Sequence, residues 1–140
     1  MLSLQDYPLI LEQDVIWSDM DAMGHVNNTV YFRYFEDGRI ALFEKIGGLS
    51  LLESQGLGPI LANERCDFRR PLHYPDRIRI GVRVCELAEK KFLMGFAVYS
   101  EKQQTLVAEG DGLVVFYDYR NGRSCQIPES IASALREMGG

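Results

Sequence analysis

Hydrophobic positions along the chain switch between two periods. Residues 11–17 alternate apolar and polar side chains, which predicts a first strand ending at Trp17. The next apolar stripe has helical spacing and runs through Tyr31, Tyr34, Phe35, Gly38, Leu42 and Ile46. The Gly47-Gly48 pair that follows is a typical helix stop. The pattern therefore predicts one strand and then one long helix.

Strand patterns fill most of the remaining chain, after a loop marked by glycine and proline. Residues 59–68 alternate, with an expected apolar face at Ile60, Ala62, Cys66 and Phe68. Residues 77–84 alternate almost without fault, with an apolar face at Ile78, Ile80, Val82 and Val84. Residues 91–101 are apolar on both faces, as in a central strand, and residues 105–120 predict a long last strand.

These elements predict a single α+β domain over residues 1–140. A glycine bulge is expected at Gly110 or Gly112 of the last strand, and Pro128–Met138 predicts a short closing helix. The long helix must bury its stripe, and a curved antiparallel sheet is the only partner available. We therefore expect an antiparallel sheet wrapped around one long central helix. Gly38 costs that helix roughly 1 kcal/mol relative to alanine, which indicates close packing over it.

Composition and charge limit the cellular compartments and the classes of binding partner to be expected. The net charge of -5 argues against a nucleic-acid or anionic-membrane partner, because both require clustered cations. The three cysteines show no CxxC spacing and predict neither a disulfide framework nor a zinc site. The first fifteen residues have no basic region, and Pro8 breaks their apolar run. We therefore expect no signal or membrane-spanning segment and a cytoplasmic protein.

An unusual group of polar residues stands directly before the predicted helix. Asp19, Asp21, His25, Asn27 and Asn28 fall within ten residues, although a helix N-cap requires only one such side chain. Aspartate and asparagine in this place are first of all caps and turn formers. A helix N-terminus also carries unpaired N–H groups and about half a positive charge, which stabilise a developing oxyanion. A carboxylate beside it is a candidate base or nucleophile.

Two motifs give the chain a resemblance to a known family. DMDAMGHVNNTVYFRYFE, residues 19–36, and DFRRPLHYPDRI, residues 67–78, resemble motifs of the hotdog-fold acyl-CoA thioesterases of the 4-hydroxybenzoyl-CoA thioesterase family. The likeness extends roughly from Leu9 to Leu135. It implies hydrolysis of an acyl-CoA thioester to a free acid and coenzyme A, without a metal or other cofactor. It also implies a homo-oligomer, dimer or tetramer, with active sites at the subunit interface.

The resemblance assigns roles within the first motif. Asp21 matches the catalytic carboxylate of the family, whereas Asp19 does not and is interpreted as a turn or strand-end residue. The N–H group that polarises the thioester carbonyl corresponds to that of Asn28 or its immediate neighbour. His25 is expected to orient the loop or to help place the carbonyl. In related plant acyl-carrier-protein thioesterases a catalytic histidine is paired with an asparagine two positions earlier, where this chain has Met23.

Substrate contacts are expected around this motif and at two basic pairs. Asn27 or Asn28 is the expected N-cap, and both are expected to combine capping with positioning. Trp17 and Tyr31 are candidates for an acyl pocket, although large aromatic side chains at such spacing are more often core. In the family, basic residues at strand ends commonly hold the nucleotide phosphates of coenzyme A, and the corresponding residues here are Arg69, Arg70, Lys90 and Lys91. Ordinary protection of an edge strand is the alternative for these four.

The remaining histidine and the cysteines are expected to be structural. His73 is expected at the surface, and the chain's two histidines do not have metal-ligand spacing. Cys66 and Cys85 are expected to be buried hydrophobic residues, and Cys125 a loop thiol, rather than nucleophiles.

Two other functions stay open at this point. Hotdog hydratases and dehydratases of acyl thioesters pair a histidine with an acidic residue, but their expected helix motif is missing here. A non-catalytic acyl-CoA-binding module is the other alternative. The His-Val-Asn-Asn motif resembles members that act on fatty acyl chains, which favours an aliphatic substrate. An acyl-carrier-protein substrate is also open, although an acidic protein needs a local basic patch to dock it.

Overall fold

The computed structural model describes residues 3–139 as three helices and six strands. The helices are α1 (Asn28–Lys45), α2 (Gly48–Gln55) and α3 (Glu129–Glu137). The strands are β1 (Leu9–Asp14), β2 (Leu57–Phe68), β3 (Arg77–Leu87), β4 (Lys91–Ser100), β5 (Thr105–Asp118) and β6 (Arg123–Ser124). Two 3-10 turns occupy Leu4–Asp6 and Trp17–Asp19. The long helix therefore precedes most of the strands, as the sequence pattern predicts.

The strands form one antiparallel sheet in the order β1-β3-β4-β5-β2, with the short β6 paired to β5. Strands β1 and β2 are its edges, and β4 at the centre is buried over most of its length. The predicted apolar face of β3 is fully buried. The α+β hotdog fold, an antiparallel sheet wrapped around one long helix, is confirmed.

Helix α1 buries its apolar stripe against the sheet. Phe35 stacks on Phe96 of β4 with ring centroids 4.6 Å apart. Gly38 lies so close to β3 that an added Cβ would be 2.8 Å from Val82 Cγ2. The close approach predicted at Gly38 is therefore confirmed. The helix is followed by Gly47 with φ of +81°, a conformation that favours glycine.

Two predicted element boundaries are wrong. Strand β1 ends at Asp14, so Trp17 lies in the following 3-10 turn, where its side chain is 72% exposed. The segment after α1 is a helix rather than a loop, because α2 begins directly at Gly48. Gly47 thus lies between two helices, and Gly48 is the first residue of the second.

A bulge at Ala62 corrects the predicted face of β2. One extra residue in a strand reverses the alternation of its side chains. Leu61 and Phe68 pair with buried positions of β5, whereas Ile60 lies on the opposite face of the sheet. The common face predicted for Ile60, Ala62, Cys66 and Phe68 is therefore wrong.

The bulge predicted at Gly110 or Gly112 is also absent, since β2 pairs with β5 continuously across both residues. Strand β5 is irregular near Val107 instead. Gly110 permits close packing: an added Cβ would lie 2.1 Å from the Arg65 carbonyl oxygen and 2.6 Å from the Phe35 ring. The glycine is required by packing, not by a bulge.

Candidate active site

A tight turn holds the carboxylate of Asp21. The Asp21 N–H donates to the carbonyl of His25 at 2.7 Å, and the Asp21 carbonyl accepts from the N–H of Gly24 at 3.1 Å. Oδ1 of Asp21 accepts from the backbone N–H groups of Met23 at 2.9 Å and His25 at 3.3 Å. No donor from residues 3–139 bonds to Oδ2. The turn therefore fixes the carboxylate through one oxygen and leaves the other for chemistry.

The start of α1 supplies a hydrogen-bond donor. Asn27 caps the helix, since its side-chain oxygen accepts from the Thr29 N–H at 2.9 Å. The Val30 N–H donates to the Asn27 carbonyl at 2.9 Å. The Asn28 N–H finds no acceptor within residues 3–139. It is thus an N–H group at the positive end of the helix dipole that is free to bind an oxygen atom.

One cleft of about 280 Å³ brings these two features together. Four predicted site residues line it from the α1 side, namely Asp21, His25, Asn28 and Tyr31. Its other lining residues are Val26 and the end of β2 with its continuation, Phe68, Arg69, Arg70 and Pro71. The Val26 N–H joins the two sides by donating to the Leu72 carbonyl at 2.9 Å. The predicted arginine pair near Asp21 is therefore part of the same cleft.

Tyr31 is both core and cleft lining. It is 2% exposed, and its ring meets Phe68 edge-on with centroids 5.1 Å apart. Burial raises the pKa of Tyr31 to about 12, and a backbone hydrogen bond with Leu72 opposes this shift. The phenol is therefore neutral at physiological pH, so it offers the cleft a polar group without a charge.

His25 contacts a second histidine whose part in the site the sequence does not predict. The rings of His25 and His73 are nearly perpendicular, with centroids 5.1 Å apart. His73 Nδ1 lies 3.2 Å from the carbonyl oxygen of Gly24, 49 residues away in sequence. His73 is exposed, as expected, but it touches the Asp21 turn. Its only signal in the sequence is its place in the second family-like motif.

Arg69 and Arg70 separate the cleft from a neighbouring groove of about 390 Å³. The rest of that groove is formed by Ser3, Leu4, Tyr99, Gln104, Thr105, Leu106 and Glu109. Arg69 Nε donates to Glu109 Oε2 at 2.8 Å, so its charge is partly neutralised. Arg70 makes no ion pair within residues 3–139. Arg70 is therefore the more available cation at the cleft.

The 3-10 turn before the motif has a structural role. Trp17 does not line the cleft but a separate depression of about 500 Å³, which it shares with Asp21 and the turn. The carboxylate of Asp19 pairs with the Arg33 guanidinium of α1, and the Asp19 carbonyl accepts from the Asn27 N–H at 3.0 Å. Asp19 thus ties the turn to the helix, whereas Trp17 belongs neither to the core nor to the cleft.

Lys90 and Lys91 lie far from the cleft of their own chain. Lys90 is in the turn between β3 and β4, and Lys91 begins β4 and pairs with Val115 of β5. Phe68, at the cleft, pairs with Ala108 of the same strand. The two positions on β5 are seven residues apart, or about 23 Å. These lysines therefore do not line the cleft of their own chain, and their phosphate contact stays a prediction.

A second cavity, of about 250 Å³, lies beside the C-terminal half of α1. Its walls are mostly apolar and comprise Ile40, Leu42, Phe43, Ile46, Pro59, Leu61, Phe92, Met94, Val114 and Phe116. Polar atoms come from Glu36 and from Arg39, which pairs with Glu64 at 2.9 Å. Ile40 is twelve residues along α1 from Asn28, or about 18 Å. We call this cavity the apolar pocket.

The cysteines and metal-ligating residues add no further chemistry. Burial raises the pKa of Cys66 to about 12, and burial also raises the pKa values of Cys85 and Cys125. All three thiols are free, half-buried and protonated at neutral pH, which argues against a nucleophilic role. No group of three or more potential metal ligands is found in residues 3–139. Over the same residues, no helix is both long and apolar enough to span a membrane.

Comparison with known proteins identifies the class. The profile of the Thioesterase-like superfamily matches residues 15–135, and the chain belongs to this superfamily. A thioesterase from Thermus thermophilus, solved with coenzyme A and Zn, is 31% identical with a TM-score of 0.81, over 93% of this chain and 98% of that chain. The chain is thus a hotdog-fold thioesterase, an enzyme that hydrolyses acyl thioesters.

One further structure shares the fold, and one further relative is named a thioesterase. A protein of Pseudomonas aeruginosa strain PAO1 has a TM-score of 0.87 and 27% identity, over 97% of this chain and 94% of that chain. The long-chain acyl-CoA thioesterase FadM of Escherichia coli is 20% identical over 119 residues, which are 85% of this chain and 90% of FadM.

Proposed function

We propose that this thioesterase hydrolyses acyl-CoA thioesters in the cleft at the start of α1. The observation that carries the proposal is the presence of the Asp21 carboxylate and the unpaired Asn28 N–H in one cleft. The Asn28 N–H donates to the thioester carbonyl oxygen, and the helix dipole stabilises the negative charge that develops there. Asn27 holds this N–H in place by capping the helix.

Asp21 supplies the attack on the carbonyl carbon, by one of two routes. As a nucleophile, it forms an acyl anhydride and expels the coenzyme A thiolate, and water then releases the acid. As a base, it takes a proton from a water molecule that attacks the carbonyl and expels the thiolate directly. Both routes give a free acid and coenzyme A. His25, whose backbone bonds to Asp21 on both sides, keeps the turn oriented.

The basic residues suit the coenzyme A end of the substrate. Arg70 lines both the cleft and the neighbouring groove and has no ion-pair partner in residues 3–139. A nucleotide phosphate in this groove would therefore meet an available guanidinium. The coenzyme A complex of the Thermus thermophilus relative supports a coenzyme A ester as the substrate.

The apolar pocket suits an aliphatic acyl chain, and a second copy of the protein supplies this pocket to the cleft. The exposed edge β2 carries Ile60, Leu61 and Phe68, which are 42%, 39% and 42% exposed. Two copies joined along this edge by a two-fold axis pair antiparallel. This places the Phe68 end of one copy, with its cleft, beside the Pro59 end of the other, with its apolar pocket. We therefore propose a homo-oligomer, at least a dimer. The same pairing brings Lys90 and Lys91 towards the other copy's cleft.

The test of this proposal is thiol release from saturated acyl-CoA esters of increasing chain length. A hydrolase releases coenzyme A from these substrates. A hydratase instead consumes an unsaturated acyl-CoA without releasing thiol, and a binding module shows affinity by calorimetry without turnover. Thiol release from the same acyl groups attached to acyl carrier protein shows whether the enzyme prefers coenzyme A or acyl carrier protein as the carrier. Absence of thiol release from every ester would contradict the proposal.

A further inference from the structure

His73 connects the two segments that build the cleft. It belongs to the β2–β3 connection, residues 69–76, which also supplies the arginines of the cleft. Its contacts, however, are made to the Asp21 turn. Nδ1 lies 3.2 Å from the Gly24 carbonyl oxygen, and the ring meets His25 edge-on at 5.1 Å. None of these contacts is used in the reaction described above.

The contact with Gly24 determines where His73 carries a proton. A carbonyl oxygen can only accept a hydrogen bond, so the proton in this contact is on Nδ1. In the neutral ring, Nε2 is then the unprotonated nitrogen. A protonated ring keeps the same Nδ1–H group. The bond to Gly24 is therefore compatible with both charge states of His73.

The Gly24 carbonyl shares a rigid unit with a group that bonds to Asp21. Because a peptide bond is planar, the Gly24 carbonyl and the His25 N–H lie in one plane and turn together. The carbonyl is bound by His73, and the N–H donates to Asp21 Oδ1 at 3.3 Å. Gly24 itself has φ of +81°, a region that glycine adopts readily. Within the turn this plane is bound through its N–H, and His73 adds a contact to its carbonyl from a different segment of the chain.

We propose that His73 is a positioning residue for Asp21. Its Nδ1–H holds the Gly24–His25 peptide plane so that the His25 N–H stays directed at the Asp21 carboxylate, and its ring keeps the His25 imidazole at the edge of the cleft. This inference rests on the proposed function, because it assumes that Asp21 is the reacting group.

Two variants of His73 separate the hydrogen bond from the ring contact. His73→Phe keeps a ring against His25 but cannot donate, and kcat should fall about tenfold with little change in KM, since small misplacements of a reacting group are costly. His73→Asn places an amide N–H on Cγ, where Nδ1 was attached, and should recover most of that loss. Gln103→Ala is the matched control, because it removes a 2.8 Å bond to Pro71 in the same connection. It should leave kcat within about twofold of wild type.

The decisive measurement combines His73→Phe with Asp21→Asn. If His73 acts through Asp21, the double variant should be no slower than Asp21→Asn alone. A further tenfold loss in the double variant, or equal loss in His73→Phe and His73→Asn, would overturn the inference. Full activity of His73→Phe beside an inactive Asp21→Asn would overturn this inference alone. Full activity of Asp21→Asn would instead overturn the proposed function.

A spectroscopic readout tests the hydrogen bond without turnover. Nitrogen-15 NMR of the histidine rings at neutral pH should show a proton on Nδ1 of His73. The same spectra should show the His25 amide resonance shifted in His73→Phe and near its wild-type position in His73→Asn. An unprotonated Nδ1 in wild type would overturn the inference whatever the kinetics.

Discussion

The two ends of helix α1 carry cavities of similar size and opposite character. The cleft at its N-terminus, about 280 Å³, is lined by a carboxylate, an imidazole, two guanidinium groups and a free backbone N–H. The apolar pocket, about 250 Å³, is lined mainly by aliphatic and aromatic side chains. The cleft is built from a turn, a helix end and a strand end, whereas the pocket is built from the interiors of a helix and a sheet.

This difference follows from where each kind of group is available. A helix leaves N–H groups unpaired at its start but not in its interior, and turns expose carboxylates to a substrate, so reactive groups collect at the ends of elements. Apolar volume is found where side chains of regular elements face one another. We therefore expect changes in the cleft to alter the rate of the chemical step and changes in the apolar pocket to alter the preference for acyl chains.

The largest effect is expected from Asp21→Asn. The substitution keeps the size of the side chain and an oxygen that accepts from the turn, but it removes the negative charge. If the carboxylate is the base or nucleophile, kcat for acyl-CoA hydrolysis should fall roughly 10²-fold or more. KM should be unchanged or lower, and the thermal unfolding midpoint should move little. Steady-state thiol release and a melting curve measure both quantities.

Asp19→Asn is the matched control for Asp21. It removes a carboxylate two residues earlier that pairs with Arg33 and not with the cleft. We expect most of the activity to remain, with a loss of stability of about 1 kcal/mol from the weakened pair with the half-exposed Arg33 guanidinium. Near wild-type hydrolysis by Asp21→Asn, or equal losses in the two variants, would contradict the catalytic assignment.

Filling the apolar pocket is expected to have the second-largest effect. Leu61→Trp adds volume on the pocket side of β2, so kcat/KM for long acyl chains should fall roughly tenfold while short acyl esters are hydrolysed as before. Ile60→Trp makes the same addition on the opposite face of the same exposed strand. It should not change the preference for chain length. If Leu61→Trp lowers kcat/KM equally for all chain lengths, the apolar pocket does not bind the acyl chain.

Mixing two variants tests whether cleft and pocket belong to different copies. Asp21→Asn supplies intact pockets and Leu61→Trp supplies intact clefts. When the two are co-refolded, a mixed dimer has one complete site only if the cleft of one copy uses the pocket of the other. Activity on long acyl chains should then rise to about a quarter of wild type, because half of the dimers are mixed and each has one of two sites. No recovery would place cleft and pocket in the same chain, and a monomer by light scattering would contradict the oligomer itself.

A smaller effect is expected at the cationic side of the cleft. Arg70→Ala should raise KM about fivefold for coenzyme A esters, the equivalent of roughly 1 kcal/mol, and the effect should decrease at high salt. Short thioesters without the nucleotide should be unaffected. Arg69→Ala should matter less, since Arg69 is already paired with Glu109. The double variant Lys90→Ala/Lys91→Ala should raise KM for coenzyme A esters as Arg70→Ala does, but only if the protein is an oligomer in which these lysines reach the other copy's cleft. Equal effects on both substrate types would show that these residues are not phosphate ligands.

The predictable part of the molecule is the part that local pattern determines. The helical stripe and a cap at Asn27 or Asn28 are set by neighbours within a few residues, so both follow from the sequence. The set of β2 side chains that share one face of the sheet does not follow from the sequence. One bulge at Ala62 reverses their alternation, and no glycine or proline at that position indicates it. The His73–Gly24 contact joins residues 49 positions apart, which periodicity cannot detect. The spacing of Trp17 continues the alternation of β1 and so predicts a strand position, but the strand ends three residues earlier, at Asp14.

The smallest effect is expected in the N-terminal half of α1, where two buried tyrosines should respond in opposite ways. The Tyr34 hydroxyl has no hydrogen-bond partner within residues 3–139, whereas Tyr31 bonds to the backbone of Leu72. Tyr34→Phe should therefore raise the free energy of unfolding at pH 7 by about 1 kcal/mol, and Tyr31→Phe should lower it by a similar amount.

The same pair gives a pH dependence whose sign is fixed. Burial raises the pKa of both phenols in the folded state, that of Tyr31 to about 12, above the ordinary value near 10 of the unfolded chain. Above about pH 10 the unfolded chain therefore binds fewer protons than the folded one, so stability falls as pH rises. Tyr34→Phe removes one of these groups, and its advantage over wild type should grow between pH 7 and pH 11 in urea titrations. A constant difference across that range would mean that the Tyr34 phenol ionises as easily in the folded protein as in the unfolded chain.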